Sequence, residues 1–345
     1  MVATLADLTT DLEHCLEVWH EYGCFIVDDL IEPALLDRLE AAARSAWAKV
    51  ERGEVTVAGN EPGSISVNGL LAPEFGDDSA PFAEHMGSAV VEKYARKFIG
   101  EPSDMRLGFI GLWVSDSSYD STWHRDTSGV LGTNHREDVD KDRELAILQA
   151  SRGYAGSLVP GGETVTTLSG GQRQLPLGAA GEYLGKTFKW QTALVDGGDP
   201  CLFVCPGTHQ RVRTSEENQA LCYEYERDGV DGQPVKTLST EVQLKLKRGQ
   251  SAVWAGSLIH RGRKPADCAE RLSLIGNLAR ADLDLPAESP KPYMEGLHER
   301  FAGAPRLLGY YERWVAVMAY HEQQKQEALQ TTGDGSGRGG AAARL

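Results

Sequence analysis

"VQLKLKRGQSAVWAGSLIHRGRKPADCAERLSLIGNLA", residues 242–279, is the stretch whose reading decides the fold. Val242, Leu244 and Leu246 alternate with Gln243, Lys245 and Lys247. A period of two puts an apolar row on one face of a strand and leaves the other face wet. The turn signal KRGQ at 247–250 leads into a second apolar segment, SAVWAG at 251–256. The strand SAVWAGSLIH closes on His260, and a short polar connection returns the chain into RLSLIGNLA at 271–279. Short strands in succession, with tight returns and no helix between them, describe antiparallel sheet and not βαβ units.

Further strand candidates lie upstream: MRLGFIGLWVS at 105–115, TFKWQTALV at 187–195 and CLFVC at 201–205. The N-terminal part is helical in pattern. Residues 4–22 read as one amphipathic helix and CFIVDDL at 24–30 as a short strand. A helix with Pro33 near its start carries Leu36, Leu39, Ala43, Trp47 and Val50 as an apolar stripe. Loops bearing Gly and Pro fill 53–79, and a third helix covers 80–98, ended by Gly100 and Pro102. Residues 128–186 are long, polar and Gly-rich, a lid-like insertion of the kind that is usually functional or mobile. Helix returns at about 305–329, and TTGDGSGRGGAAARL, 331–345, reads as a flexible tail. There is no G-x-G-x-x-G after a strand, no P-loop and no internal repeat. The expected fold is mainly β with flanking helices, a closed or double-sheet antiparallel core at about 101–280. A helical layer at about 1–100 precedes it and a C-terminal helix follows, in one domain over 1–330.

The chain has 345 residues, 41% apolar and 25% charged, an ordinary globular composition. A formal net charge of −15 argues against a nucleic-acid partner. No apolar run approaches the roughly 20 residues that cross a bilayer. The N-terminal MVATLADLTTDLEHCLEVWHEYG carries acids and no basic n-region, unlike a secretory signal. The six cysteines at 15, 24, 201, 205, 222 and 268 form no C-x-x-C, and Cys201 and Cys205 read as a buried, reduced pair. These features point to a cytoplasmic protein, without a nucleic-acid or membrane partner.

The chemistry begins at STWHRDTSGV, 121–130. His124 and Asp126 stand two apart, so on a strand their side chains share a face and can bind one ion together. A third ligand is needed. Of nine histidines, His135, His209 and His260 lie near strand ends, and His260 closes a strand that turns back into another. Two histidines and one carboxylate on one face leave open positions on an octahedral metal, the facial triad of non-haem Fe(II) oxygenases. H-x-D by itself is a weak signal. It gains weight from Arg271, eleven residues after His260, with Ser273 two further on the same face. An arginine there would form a two-toothed bond to a carboxylate, as a 2-oxo acid co-substrate requires.

HRD at 124–126, KWQTALVDGGDPCLFVCPGTHQRVR at 189–213 and LKRGQSAVWAGSLIHRGRKPADCAERLSLIG at 246–276 together resemble the phytanoyl-CoA dioxygenase family of Fe(II)- and 2-oxoglutarate-dependent oxygenases. The resemblance covers about 20–280 and is strongest over 187–279. It implies a double-stranded β-helix, a jelly-roll variant. It also implies metal ligands His124, Asp126 and His260, and a grip of Arg271 on the C5-carboxylate of 2-oxoglutarate. His209, in PGTHQR, matches a family histidine that is structural or near the substrate mouth, not a ligand. Two departures stand out. Gly262 occupies a position where the family often has a small hydroxyl residue, which shifts the second carboxylate contact to Ser273 or elsewhere. The 128–186 insertion is longer than the common spacing, which implies a specialised substrate lid. The implied reaction consumes 2-oxoglutarate and O2 at Fe(II), releases succinate and CO2, and oxidises an unactivated C–H of a small organic molecule; the specialised insertion alone suggests a place in secondary metabolism. A carboxylate at 126 favours hydroxylation over halogenation, while desaturation, epoxidation and ring formation use the same triad.

Trp123 and Trp254 read as core residues or pocket walls. Arg125, on the opposite face from His124, reads as a surface or ion-paired residue. Arg211, Arg213, Arg261 and Arg263 near the presumed mouth read as solvated charge or as a site for an anionic or acyl-carrier-linked substrate. Two other functions use the same barrel: a Zn- or Mn-dependent hydrolase or isomerase, and a non-catalytic binding module. Arg271 argues against the first, and the complete set of ligands against the second.

Overall fold

The computed structural model describes residues 3–55, 59–61, 64–115, 121, 123–125, 164–166, 172–174, 187–227, 237–281 and 296–333. The single helix expected over 4–22 is two: α1 (Leu5–Leu8) and α2 (Cys15–Tyr22). Between them the Asp11 side chain accepts the backbone N–H groups of Glu13 and His14, and Thr9 pairs with Ile26. Local side-chain bonds of this kind compete with a continuous helix. α2 ends at Gly23, whose φ of 75° and contact with the His209 ring leave no room for a Cβ. β1 (Cys24–Val27) and α3 (Pro33–Glu51) follow, the latter with Pro at its first turn.

The region expected as loop contains a hairpin, β2 (Gly59–Glu61) and β3 (Ser64–Asn68), and a 3₁₀ turn at Pro73–Asp78. The helix expected over 80–98 is broken into α4 (Ser79–Met86) and α5 (Ala89–Phe98). Ser88 caps the second half by accepting the Val91 N–H at 3.2 Å. The remaining strands are β4 (Met105–Ser115), β5 (Thr164–Thr166), β6 (Gln172–Gln174), β7 (Thr187–Ala193), β8 (Asp199–Val204), β9 (Val242–Leu246), β10 (Ser251–Trp254), β11 (His260–Gly262) and β12 (Arg271–Arg280). α6 (Ser215–Arg227), α7 (Leu297–Arg300) and α8 (Pro305–Gly333) complete the chain. α8 runs past the expected 329, and most of the expected tail lies outside the described residues. So does most of the 128–186 insertion, apart from the β5–β6 hairpin.

Every strand pair in the three sheets is antiparallel. The main sheet has the order β1-β10-β7-β12-β4-β3-β2, and a smaller one the order β11-β8-β9. Both faces of the main sheet are covered. Phe25, Leu107, Leu112, Phe188, Leu274 and Leu278 point toward the helices in one core. Ile26, Ala193, Ala252 and Ile275 meet Leu202, Val204, Leu244 and Leu246 of the smaller sheet in another. Double coverage explains why β12 is almost uniformly apolar, while β9, with one wet face, alternates as its sequence predicts. The protein is thus mostly antiparallel sheet with flanking helices. No helix among the described residues is long and apolar enough to cross a membrane.

Close approach fixes the middle of the main sheet. Gly276 lies opposite Trp190, and a Cβ there would run into the indole. The Trp190 indole N–H donates to His85 Nε2 at 3.1 Å. Burial pushes the His85 imidazole down to about 3, and burial, helped by His20 and Arg125, does the same to His209. Both are neutral when folded and protonate near pH 6.5 when unfolded. The unfolded chain therefore binds more protons between about pH 6.5 and 3. Stability from these groups is whole above pH 6.5 and falls as pH drops, by up to roughly 1.4 kcal/mol per pH unit for each histidine. His85→Gln keeps an acceptor for Trp190 but cannot titrate. It is expected to remove about half of the decline in urea midpoints between pH 6.5 and 5. An unaltered decline would show that His85 is not the source.

Candidate functional site

The short segment around residue 124 lies antiparallel to β11. The His124 N–H donates to the His260 carbonyl at 3.0 Å, and the His260 N–H donates to the His124 carbonyl at 3.0 Å. Two rungs away the Ser121 N–H donates to the Gly262 carbonyl at 2.9 Å, and the Gly262 N–H donates to Ser121 Oγ at 2.8 Å. This exchange extends the smaller sheet beyond β11 and puts His124 directly opposite His260. Their ring centroids are 4.4 Å apart, inclined by 52°. Nδ1 of His260 lies 2.8 Å from the Leu258 carbonyl. A carbonyl only accepts, so Nδ1 donates in this bond, the orientation typical of a histidine that binds a metal through Nε2.

Both imidazoles face a cavity of about 180 Å³ between the two sheets, lined also by Trp254, Lys189, Gln191 and Arg271. The Trp254 ring stands edge-on to His260 at 5.8 Å, and Lys189 Nζ lies 4.5 Å above that indole. Trp254 is therefore a pocket wall. Trp123, on the other face of its segment, packs with Phe203, Leu221 and Ile259. The structure thus brings His124, His260 and Arg271 around one space. Asp126 and His135 lie outside the described residues. Among the described residues no group of three His, Cys, Asp or Glu side chains converges.

Arg271 and Ser273 open β12, opposite Ser115 and Trp113 of β4. Both reach a residue that sequence reasoning missed, Asp199 at the start of β8. Arg271 Nε donates to Asp199 Oδ2 at 3.3 Å, and the Ser273 hydroxyl donates to the same oxygen. Gln191 Nε2 donates there at 2.5 Å, and the Cys201 N–H donates to Oδ1 at 2.8 Å. Burial pushes the Asp199 carboxyl up. The Arg271 guanidinium, the Ser273 hydroxyl and the Cys201 donor outweigh it and hold the group below the usual carboxylate range. The only available signal was an acid opening an otherwise apolar strand, DPCLFV, where burial demands a partner.

Several arginines sit elsewhere than expected. Arg125 is not at the surface. It is 1% exposed, and its guanidinium donates to the carbonyls of Thr208 (2.7 Å), Ser257 and Arg211 (3.1 Å). Arg213 and Arg261 are buried, the latter with its guanidinium 4.4 Å from the Trp123 ring centroid, and Arg211 is bonded twice to Glu217. Arg125, Arg213 and Arg261 are therefore not solvated charge. Arg263 lies near the Phe203 ring, at 5.9 Å. His209 is buried beside Gly23 and does not line the cavity, so it has the structural place that the resemblance implies. Cys201 and Cys205 are free and buried. A larger cavity of about 560 Å³ lies between α4, α5 and α7, but it holds none of these groups, and its Arg300 is bonded to Leu71, Ala72 and Ser79.

No family model and no curated protein sequence matches the chain. Three solved structures are similar in shape at low identity. AviO1 from Streptomyces viridochromogenes Tue57 is 16% identical over 84% of this chain and 100% of that one, with a TM-score of 0.46. HygX from Streptomyces hygroscopicus, with nickel and 2-oxoglutarate bound, is 12% identical over 76% of this chain and 85% of that one, with a TM-score of 0.46. The epimerase SnoN, in complex with Fe3+, alpha ketoglutarate and nogalamycin RO, is 14% identical over 81% of this chain and 92% of that one, also with a TM-score of 0.46.

Proposed function

We propose that the protein is a 2-oxoglutarate-dependent non-haem iron oxygenase built on a double-stranded β-helix. The observation that carries this reading is one cavity joining two facing imidazoles to a buried arginine. An imidazole whose Nδ1 is held by a carbonyl leaves Nε2 as the nitrogen that would bind a first-row transition metal. His124, His260 and, from the H-x-D motif, Asp126 would hold Fe(II). When bound, the iron supplies activation of O2 and oxidation of an unactivated C–H, coupled to conversion of 2-oxoglutarate to succinate and CO2. The chain's own part is to bind, aim and exclude water. Arg271, which lines the same cavity, grips the C5-carboxylate. The Ser273 hydroxyl, expected as a second contact, is turned onto Asp199 and acts through that carboxylate. Trp254 walls the space beside His260. The substrate is a small organic molecule of secondary metabolism, and hydroxylation is the favoured outcome.

Succinate formation from 2-oxoglutarate is expected to require both added Fe(II) and O2. Candidate substrates that accelerate it identify themselves by a mass gain of one oxygen. Tightly held zinc with no succinate under any condition would overturn the reading and favour a hydrolase.

A further inference from the structure

The arginine that lines the cavity already has a carboxylate of its own. We infer that Asp199 is a positioning residue, which presets the Arg271 guanidinium for the distant carboxylate of a dicarboxylic co-substrate. This rests on the functional reading above.

Asp199 and Arg271 belong to different sheets, the first residue of β8 and the first of β12. Both are buried. The carboxylate is itself fixed from both sides: Ser273 and Gln191 of the main sheet hold Oδ2, and the Cys201 N–H of its own strand holds Oδ1. It engages Arg271 through Nε. Arg271 Cζ also lies over the Trp113 ring, 5.4 Å from its centroid. A carboxylate and an indole thus flank the guanidinium of a residue that lines the cavity, and its freedom is reduced. The pair also keeps this end neutral before a ligand arrives, so the arginine is not buried as a bare cation. Ligand binding then forgoes the cost of ordering a long side chain. Ser273 and Gln191 contribute one step back, by holding the carboxylate that holds the arginine.

The test is a double-mutant cycle read by calorimetric titration of 2-oxoglutarate into Mn(II)-loaded protein. Asp199→Ala is expected to weaken diacid binding at least about tenfold and to leave the Mn(II) dissociation constant within about twofold. In the Arg271→Ala background the same change is expected to have no further effect on diacid affinity, because the group through which it acts is gone. A merely structural Asp199 predicts the same factor in both backgrounds, and that result would overturn the inference. So would an unaltered diacid affinity in Asp199→Ala. Should Asp199→Ala fail to fold, Asp199→Asn serves in the same cycle, and the same non-additivity decides. Wild-type protein that takes up no diacid would instead sink the functional reading itself, which separates the two failures.

Discussion

Alanine at His260 is expected to give protein that folds, holds no stoichiometric iron and releases no succinate above background. The reason is geometric. His260 and His124 exchange backbone hydrogen bonds across two edges of one sheet, so the imidazoles stay opposed whether or not metal is present. A site preformed to this degree loses a donor without collapsing when one ring is removed. Loss of an outer-shell partner typically costs 10–100-fold in metal affinity, and loss of a direct ligand is expected to exceed about a hundredfold. His124→Ala should behave alike. Iron content after desalting, succinate yield and far-UV circular dichroism together decide the matter. An iron-replete, active His260→Ala would remove that residue from the centre.

Arg271→Ala carries the second large effect, and it has two separable parts. The apparent requirement for 2-oxoglutarate should rise by roughly a hundredfold, the size expected when a charge-assisted, two-toothed bond is truncated. Stability should fall as well, by about 3–5 kcal/mol, because the Asp199 carboxylate is left buried without its cation. The pH dependence fixes the cause. With Arg271 present the Asp199 carboxyl titrates below its ordinary value, so its contribution is present above about pH 4 and is lost as the solution becomes more acid. Without the guanidinium, burial prevails and the carboxyl prefers its proton. The variant then loses most relative to wild type at pH 7 and less near pH 5. Urea midpoints at the two pH values measure this. A deficit that is the same at both, or iron loss larger than the loss of diacid binding, would contradict the assigned role.

The legible parts of the chain were those where periodicity and burial agree. β9 alternates because one of its faces is wet, and β4 and β12 are long apolar runs because both of their faces are covered. His260 and Arg271 could be placed because strand ends and the turn between them are marked in the sequence. The helical layer was legible in kind but not in its breaks, which depend on single bonds at Asp11 and Ser88. The β2–β3 hairpin escaped because a strand reading GNE has no apolar pattern. The Asp199–Arg271 pair escaped because its two members come from different sheets, a relation that no local period encodes. Arg125 was misplaced by the rule that charged side chains stay wet. Its two terminal nitrogens donate to main-chain oxygens that no pattern of side chains announces.

That last arrangement bears on how the molecule can diverge. Arg125 follows His124 directly and is anchored on the carbonyls of Thr208, Ser257 and Arg211, in two separate loops. Every amino acid supplies a carbonyl, so this anchorage does not depend on which side chains stand at 208, 211 and 257, and the imidazole next door keeps its aim through substitutions there.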